Sequence, residues 1–146
     1  MPPVVDLPAP VRGRLARLLA AVTAGYTAFL VLATHYPRPE EFLGPNPPPD
    51  KLLHFVAYGG LAVLAAGTVA LARHWSARRA AGLAGVLAAF AAVDEITQPL
   101  FSRASERMDW VFDCVGIVGG IVAVAAAVAA VRGVRRRQDQ LGVGGR

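Results

Sequence analysis

Four long apolar runs, separated by short polar stretches, organise this chain. Residues 18–34 carry no charge, residues 52–72 hold only His54 among titratable side chains other than tyrosine, and two further runs follow within 80–98 and 109–131. About 18 or more nearly uncharged residues are enough for a helix to cross the hydrocarbon core. The pattern therefore predicts an all-α fold, a four-helix transmembrane bundle with spans at about 15–36, 52–72, 80–98 and 109–131. The whole chain, 1–146, reads as one transmembrane domain. Residues 1–10 are proline-rich and expected to be disordered, and 132–146 form a basic, then glycine-rich tail expected to be loose. The first run outlasts the roughly 7–15 apolar residues of a signal peptide and lacks a clear small-residue cleavage site, so it reads as a retained helix. Pro45-Asn46-Pro47-Pro48-Pro49 marks a non-helical loop, Asp50 is the expected N-cap of the second helix, and Pro99 ends the third.

Composition agrees with the runs. The 146 residues are 55% hydrophobic and 17% charged, against about 25% charged in a typical soluble domain. Net charge is +5, but the basic residues flank apolar runs and do not interleave with aromatics, which argues against nucleic acid as a partner. Instead they report orientation. Arg12, Arg14, Arg17, Arg73, Arg78, Arg79, Arg132, Arg135, Arg136, Arg137 and Arg146 fall on one side, and only Arg38, Lys51, Arg103 and Arg107 on the other. Eleven against four predicts that both termini are cytoplasmic in a multi-pass protein of the cytoplasmic (inner) membrane. Cys114, the sole cysteine, excludes an intrachain disulfide, and no ordered Cys/His or HExxH spacing announces a metal. Neither a cofactor nor a metal is expected from these patterns.

Depth arithmetic gathers the remaining polar residues. Asp94 lies fourteen residues beyond Ala80, roughly 21 Å along a helix rising about 1.5 Å per residue and so in the outer third of the core. Glu95 and Gln98 lie slightly higher. Lys51, His54 and Tyr58 form one stripe at the start of the second helix, and Asp109 and Asp113 are one turn apart at the start of the fourth. Arg103 and Arg107 sit above them. An ionised acid within a span costs roughly 2.5–3.5 kcal/mol even on insertion scales, so several at one depth imply a shared pocket or mutual pairing. Small residues, including Gly116-x-x-x-Gly120 and Gly59, Gly60 and Gly67, would let the helices approach closely.

The same residues carry a resemblance. Asp50-Lys51-Leu52-Leu53-His54-Phe55, then Asp94-Glu95-Ile96-Thr97-Gln98, then Arg103 through Asp109 to Asp113 and Gly116 resemble, in order and spacing, the motifs of the VanZ-like family of small bacterial membrane proteins. The likeness covers about half of the chain. Asp113 stands where that family usually has asparagine, and Ser102 where it usually has glycine before the loop arginine. The family takes its name from a protein associated with teicoplanin resistance, so the resemblance implies a cell-envelope role at the outer surface of the cytoplasmic membrane.

The expected binding residues are Lys51, His54, Tyr58, Asp94, Glu95, Gln98, Arg103, Asp109 and Asp113. Their occupant is expected to be a lipid-linked or glycolipid-like ligand from the bilayer, with Arg103 and Arg107 suited to a phosphate. An intramembrane enzyme acting on a lipid phosphate or acyl group is the alternative, with Asp94, Glu95 or His54 as acid or base. A packing subunit of a membrane complex, in which the acids only specify helix pairing, is the third reading. Binding is preferred to catalysis because Ser102, Ser105 and Cys114 have no histidine partner in register.

Overall fold

The structure is a computed structural model and describes residues 7–38, 41, 44, 46–73, 75–103 and 106–140. Its helices are α1 (Ala9–Thr34), α2 (Asp50–Ala72), α3 (Ala77–Thr97) and α4 (Arg107–Gln140), with a short 3-10 turn (Gln98–Phe101) after α3. All four are long and apolar enough to cross a membrane. No strand occurs among the described residues.

Helix limits differ from the sequence reading where local chemistry outweighs hydropathy. α1 starts at Ala9, so Pro10, expected in a disordered leader, stands in the first turn; proline is tolerated there because its missing N–H has no partner to lose. Asp50 is not a cap. It is the first helical residue, after Pro49, and no side chain caps α2. α3 begins three residues earlier than expected because Ser76 accepts a hydrogen bond from Arg79 N at 3.3 Å. Nor is the tail loose between Arg132 and Gln140, where α4 continues as an exposed helix with Arg137 in its last turn; arginine is a good helix former and favours a helix C-terminus. The disorder expected for 1–6 and the looseness expected for 141–146 lie outside the described residues.

One apolar core cluster draws on every helix, with Leu30 from α1, Tyr58 and Leu61 from α2, Leu87 and Ala91 from α3, and Ile117 and Ile121 from α4. The most extensive interface joins α2 to α4. There the backbones touch. A Cβ added at Gly116 would collide with the Phe55 carbonyl, and one at Gly120 would lie 2.9 Å from Ala62 Cβ. α1 leans on α2 through Tyr26, whose hydroxyl donates to Ala57 O at 3.0 Å, and through the Thr23–Thr68 hydroxyl pair at 3.2 Å. Large apolar side chains such as Phe29, Leu32, Val86, Ile96 and Leu100 point outwards, as lipid-facing surfaces should.

Trp75 belongs to the core, and its carbonyl accepts from the Arg132 guanidinium at 3.3 Å.

Candidate functional site

Polarity is inverted at one end of the bundle. While leucines and valines face outwards, His54, Asp94, Glu95, Gln98, Asp109 and Asp113 are all buried, none more than 6% exposed. They come from the start of α2, the end of α3 with its 3-10 turn, and the start of α4, as the depth arithmetic expected. On α4 the buried stripe Asp109, Asp113, Gly116 and Gly120 follows the three-to-four residue spacing of one helix face.

His54 is at its centre. Its Nδ1 lies 2.9 Å from Asp113 Oδ1 and 3.7 Å from Glu95 Oε1, while its Nε2 lies 3.9 Å from Asp50 Oδ2. Gly116, one turn beyond Asp113, is where α4 meets the Phe55 backbone. The glycine contact therefore brings α2 and α4 near enough for the His54–Asp113 pair.

Asp94 and Glu95, although adjacent, face different partners because successive helical residues are about 100° apart. Asp94 turns to α1, where the Thr34 hydroxyl donates to Oδ1 at 3.0 Å and His35 Nδ1 lies 3.6 Å away. Glu95 turns towards His54. The Gln98 amide straddles the two, donating to Glu95 Oε1 at 3.1 Å and, more weakly, to Asp94 Oδ2 at 3.5 Å.

Thr34 and His35 were not expected here. His35 also pairs with the Thr97 hydroxyl at 2.9 Å and sets its ring edge-on to Phe101, with centroids 4.8 Å apart. A polar pair closing an apolar run reads as a membrane-interface ending. The available signal was that α1 must end at the same depth as Asp94.

Neither arginine above the layer clamps its acids among the described residues. Arg103 makes no ion pair within 4.0 Å among the described residues, and its Nε is buried without a hydrogen-bond partner. Its backbone N–H is tied to Gln98 O at 3.3 Å, and Asp94 takes its donor from Thr34 instead. Ser102, just before it, has φ 61° and ψ 29°, left-handed values that glycine adopts with less strain. Arg107 is exposed and pairs with neither Asp109 nor Asp113 among the described residues. The cation that reaches the layer is Lys51, 3.0 Å from Glu106 Oε2 and 3.8 Å from Asp109 Oδ1. Glu106 is a participant the sequence reading missed, since it lies in a connector.

Among the described residues, three buried oxygens lack hydrogen-bond partners: Tyr58 Oη, Asp109 Oδ1 and Asp113 Oδ2. Tyr58, one turn after His54, is sealed from solvent beside Asp94 without completing a hydrogen bond to it. On the flank of the layer, a groove of about 530 Å³ between α3 and α4 is lined by Ala92, Glu95, Ile96, Glu106, Arg107, Trp110 and Val111. Glu95 therefore belongs both to the buried layer and to a groove with apolar walls and a charged rim. Comparison of the chain with family models, with curated proteins and with solved structures finds no match.

Proposed function

We propose that this chain is a VanZ-like protein of a bacterial cytoplasmic membrane, both termini cytoplasmic, whose polar end binds a lipid-linked ligand in the outer leaflet. On this reading its cellular effect is lowered susceptibility to teicoplanin-type glycopeptides. One observation carries the binding proposal: a buried polar layer reaches, through Glu95, a lateral groove between α3 and α4. Glu106 and Arg107 at the rim suit a polar headgroup, while Ile96, Val111 and Ala92 suit an acyl or isoprenoid chain. The three motifs and the arginine count support the family and the orientation.

The enzymatic alternative finds its best support in Thr34, whose hydroxyl stands against the Asp94 carboxylate beside His35. An activated hydroxyl next to a carboxylate is what a covalent mechanism needs. However, Thr34 also bonds to its own helix at Leu30 O, the usual role of a helical threonine.

Glu95→Gln and Arg107→Gln, expressed in a host lacking its own homologue, test the proposal. The expected result is normal membrane abundance with loss of glycopeptide protection; unchanged protection in both variants would refute ligand binding at the groove. Mass spectrometry of lipids and wall precursors separates binding from catalysis, since a binder leaves their covalent composition unchanged. Orientation is checked with an impermeant thiol reagent on a Cys114→Ser background. Pro47→Cys should label in intact cells and Ser76→Cys should not.

A further inference from the structure

We propose that the polar end of the bundle binds one divalent cation of hard to borderline class, Mn²⁺ or Zn²⁺, between His54 Nδ1, Glu95 and Asp113. The three side chains come from three helices, all are buried, and each offers a donor atom within 4.8 Å of the other two. Ligands held at about 2.1 Å from an ion stand about 3.0 Å apart at right angles and about 3.4 Å apart in a tetrahedron. The distances from His54 Nδ1 to Asp113 Oδ1 and Glu95 Oε1, 2.9 and 3.7 Å, bracket those values.

Acidic clustering alone would not justify an ion, but the unsatisfied oxygens point to one. Direct pairing of His54 with Asp113 satisfies a single oxygen, leaving Asp113 Oδ2 without a partner in a side chain that is 0% exposed. Outside the triad, the Tyr58 hydroxyl is equally buried, lies near Asp94, Asp113 and Glu95, and completes no hydrogen bond. Buried polar atoms are nearly always paired, and each exception calls for a missing water or ion. Local charge points the same way. Asp94, Asp109 and Asp113 are all buried, Lys51 approaches only Asp109 among them, and Arg103 pairs with none of the three within 4.0 Å among the described residues. A dication at the triad neutralises both of its carboxylates while the imidazole binds in its neutral form.

Surrounding contacts suit the assignment. With Nδ1 on the ion, the Nε2–H of His54 faces Asp50 at 3.9 Å, and the Gln98 amide steadies Glu95 at 3.1 Å. Such outer contacts orient metal-bound histidines and carboxylates. One imidazole with carboxylates and no thiolate favours Zn²⁺ or Mn²⁺ over softer ions. The cation shares Glu95 with the groove proposed above, so its test uses the ion alone and Asp113→Asn, which does not line the groove, separates the two.

Full-length protein in lipid nanodiscs, stripped by chelator and returned to metal-free buffer, is titrated with Mn²⁺ by electron paramagnetic resonance and with Zn²⁺ by calorimetry. One ion per chain is expected. Asp113→Asn and Glu95→Gln should each weaken binding by about tenfold or more, with Asp139→Asn on the exposed end of α4 as the unaffected control. Helical circular dichroism verifies each variant, and added metal should raise the Tm of the wild type but not of Asp113→Asn. A readout on the unaltered protein guards against misfolded variants: Zn²⁺ should bring the ¹⁵N resonance of His54 Nδ1 into the metal-bound range while Nε2 takes the protonated value. No ion retained below millimolar concentration, equal affinity in Asp113→Asn, or a metal-bound resonance at Nε2 with Nδ1 protonated would each overturn the assignment.

Discussion

Glycine behaves differently at the two ends of this bundle. At the polar end Gly59, Gly116 and Gly120 are pressed against the opposing backbone, and a methyl group at the last two would collide with it. Towards the arginine-rich end Gly67 meets only the Leu19 side chain, at 3.2 Å, and Gly82, Gly85 and Gly133 meet nothing within 4 Å, so no glycine there touches an opposing backbone. The same residue type is a packing surface in one place and a mere gap in side-chain volume in the other. The difference follows what each end must do. In lipid, apolar helices gain little by pairing one way and not another, since the surrounding chains are as apolar as leucine. Backbone contact and buried polar pairs select a single register. Both are concentrated where α2 crosses α4.

Substitutions can break this contrast, and the largest effect is expected at Asp113. Asp113→Ala would strand His54 among acids, and removing one partner of a buried pair typically costs about 3–5 kcal/mol. Reversible unfolding in mixed micelles should register that loss, with Asp113→Asn retaining much of the stability. Next comes Gly116→Ala, which must force α4 away from Phe55. Overpacking of this kind costs about 1–3 kcal/mol, whereas Gly82→Ala should be neutral or stabilising by up to about 1 kcal/mol. Equal losses in these two variants would show that the ends do not differ.

Thr34→Val, which keeps the shape and removes the donor to Asp94, should cost about 1–2 kcal/mol, the range for an orphaned buried acceptor. It should also change the ¹⁵N shifts of His35. The smallest effect is expected at Ser102→Gly, a stabilisation of under about 1 kcal/mol, because relief at φ 61° is partly offset by the added freedom of the unfolded chain. A thermal scan of paired samples would detect it.

The four spans were legible because runs such as 18–34 are too long and too apolar for any other role. His54, Asp94 and Asp113 were legible as one layer because helical rise converts residue number into depth. Partner choice was not. Whether Asp94 meets Arg103 or Thr34 depends on how α1 and α3 are rotated about their own axes, and the low amphipathicity of these alanine-rich helices carries little rotational information. The pairing of Lys51 with Glu106 depends on a connector whose path hydropathy does not describe. The three proposed ion ligands were legible as binding residues but not as a metal site, for a related reason. His54, Glu95 and Asp113 come from three separate helices, so no short spacing motif announces them.

The crossing of α2 and α4 also has a consequence in time. His54 and Asp113 are 59 positions apart, and at about 5–20 residues per second a ribosome takes roughly 3–12 s to connect them. Until α4 inserts, His54 and Glu95 lack their partner on it. Closure of the polar end therefore has to wait for α4, which follows the other three helices in the chain. A nascent chain stalled before α4 would present acids to lipid, a mark by which membrane proteases could distinguish unfinished copies from complete ones.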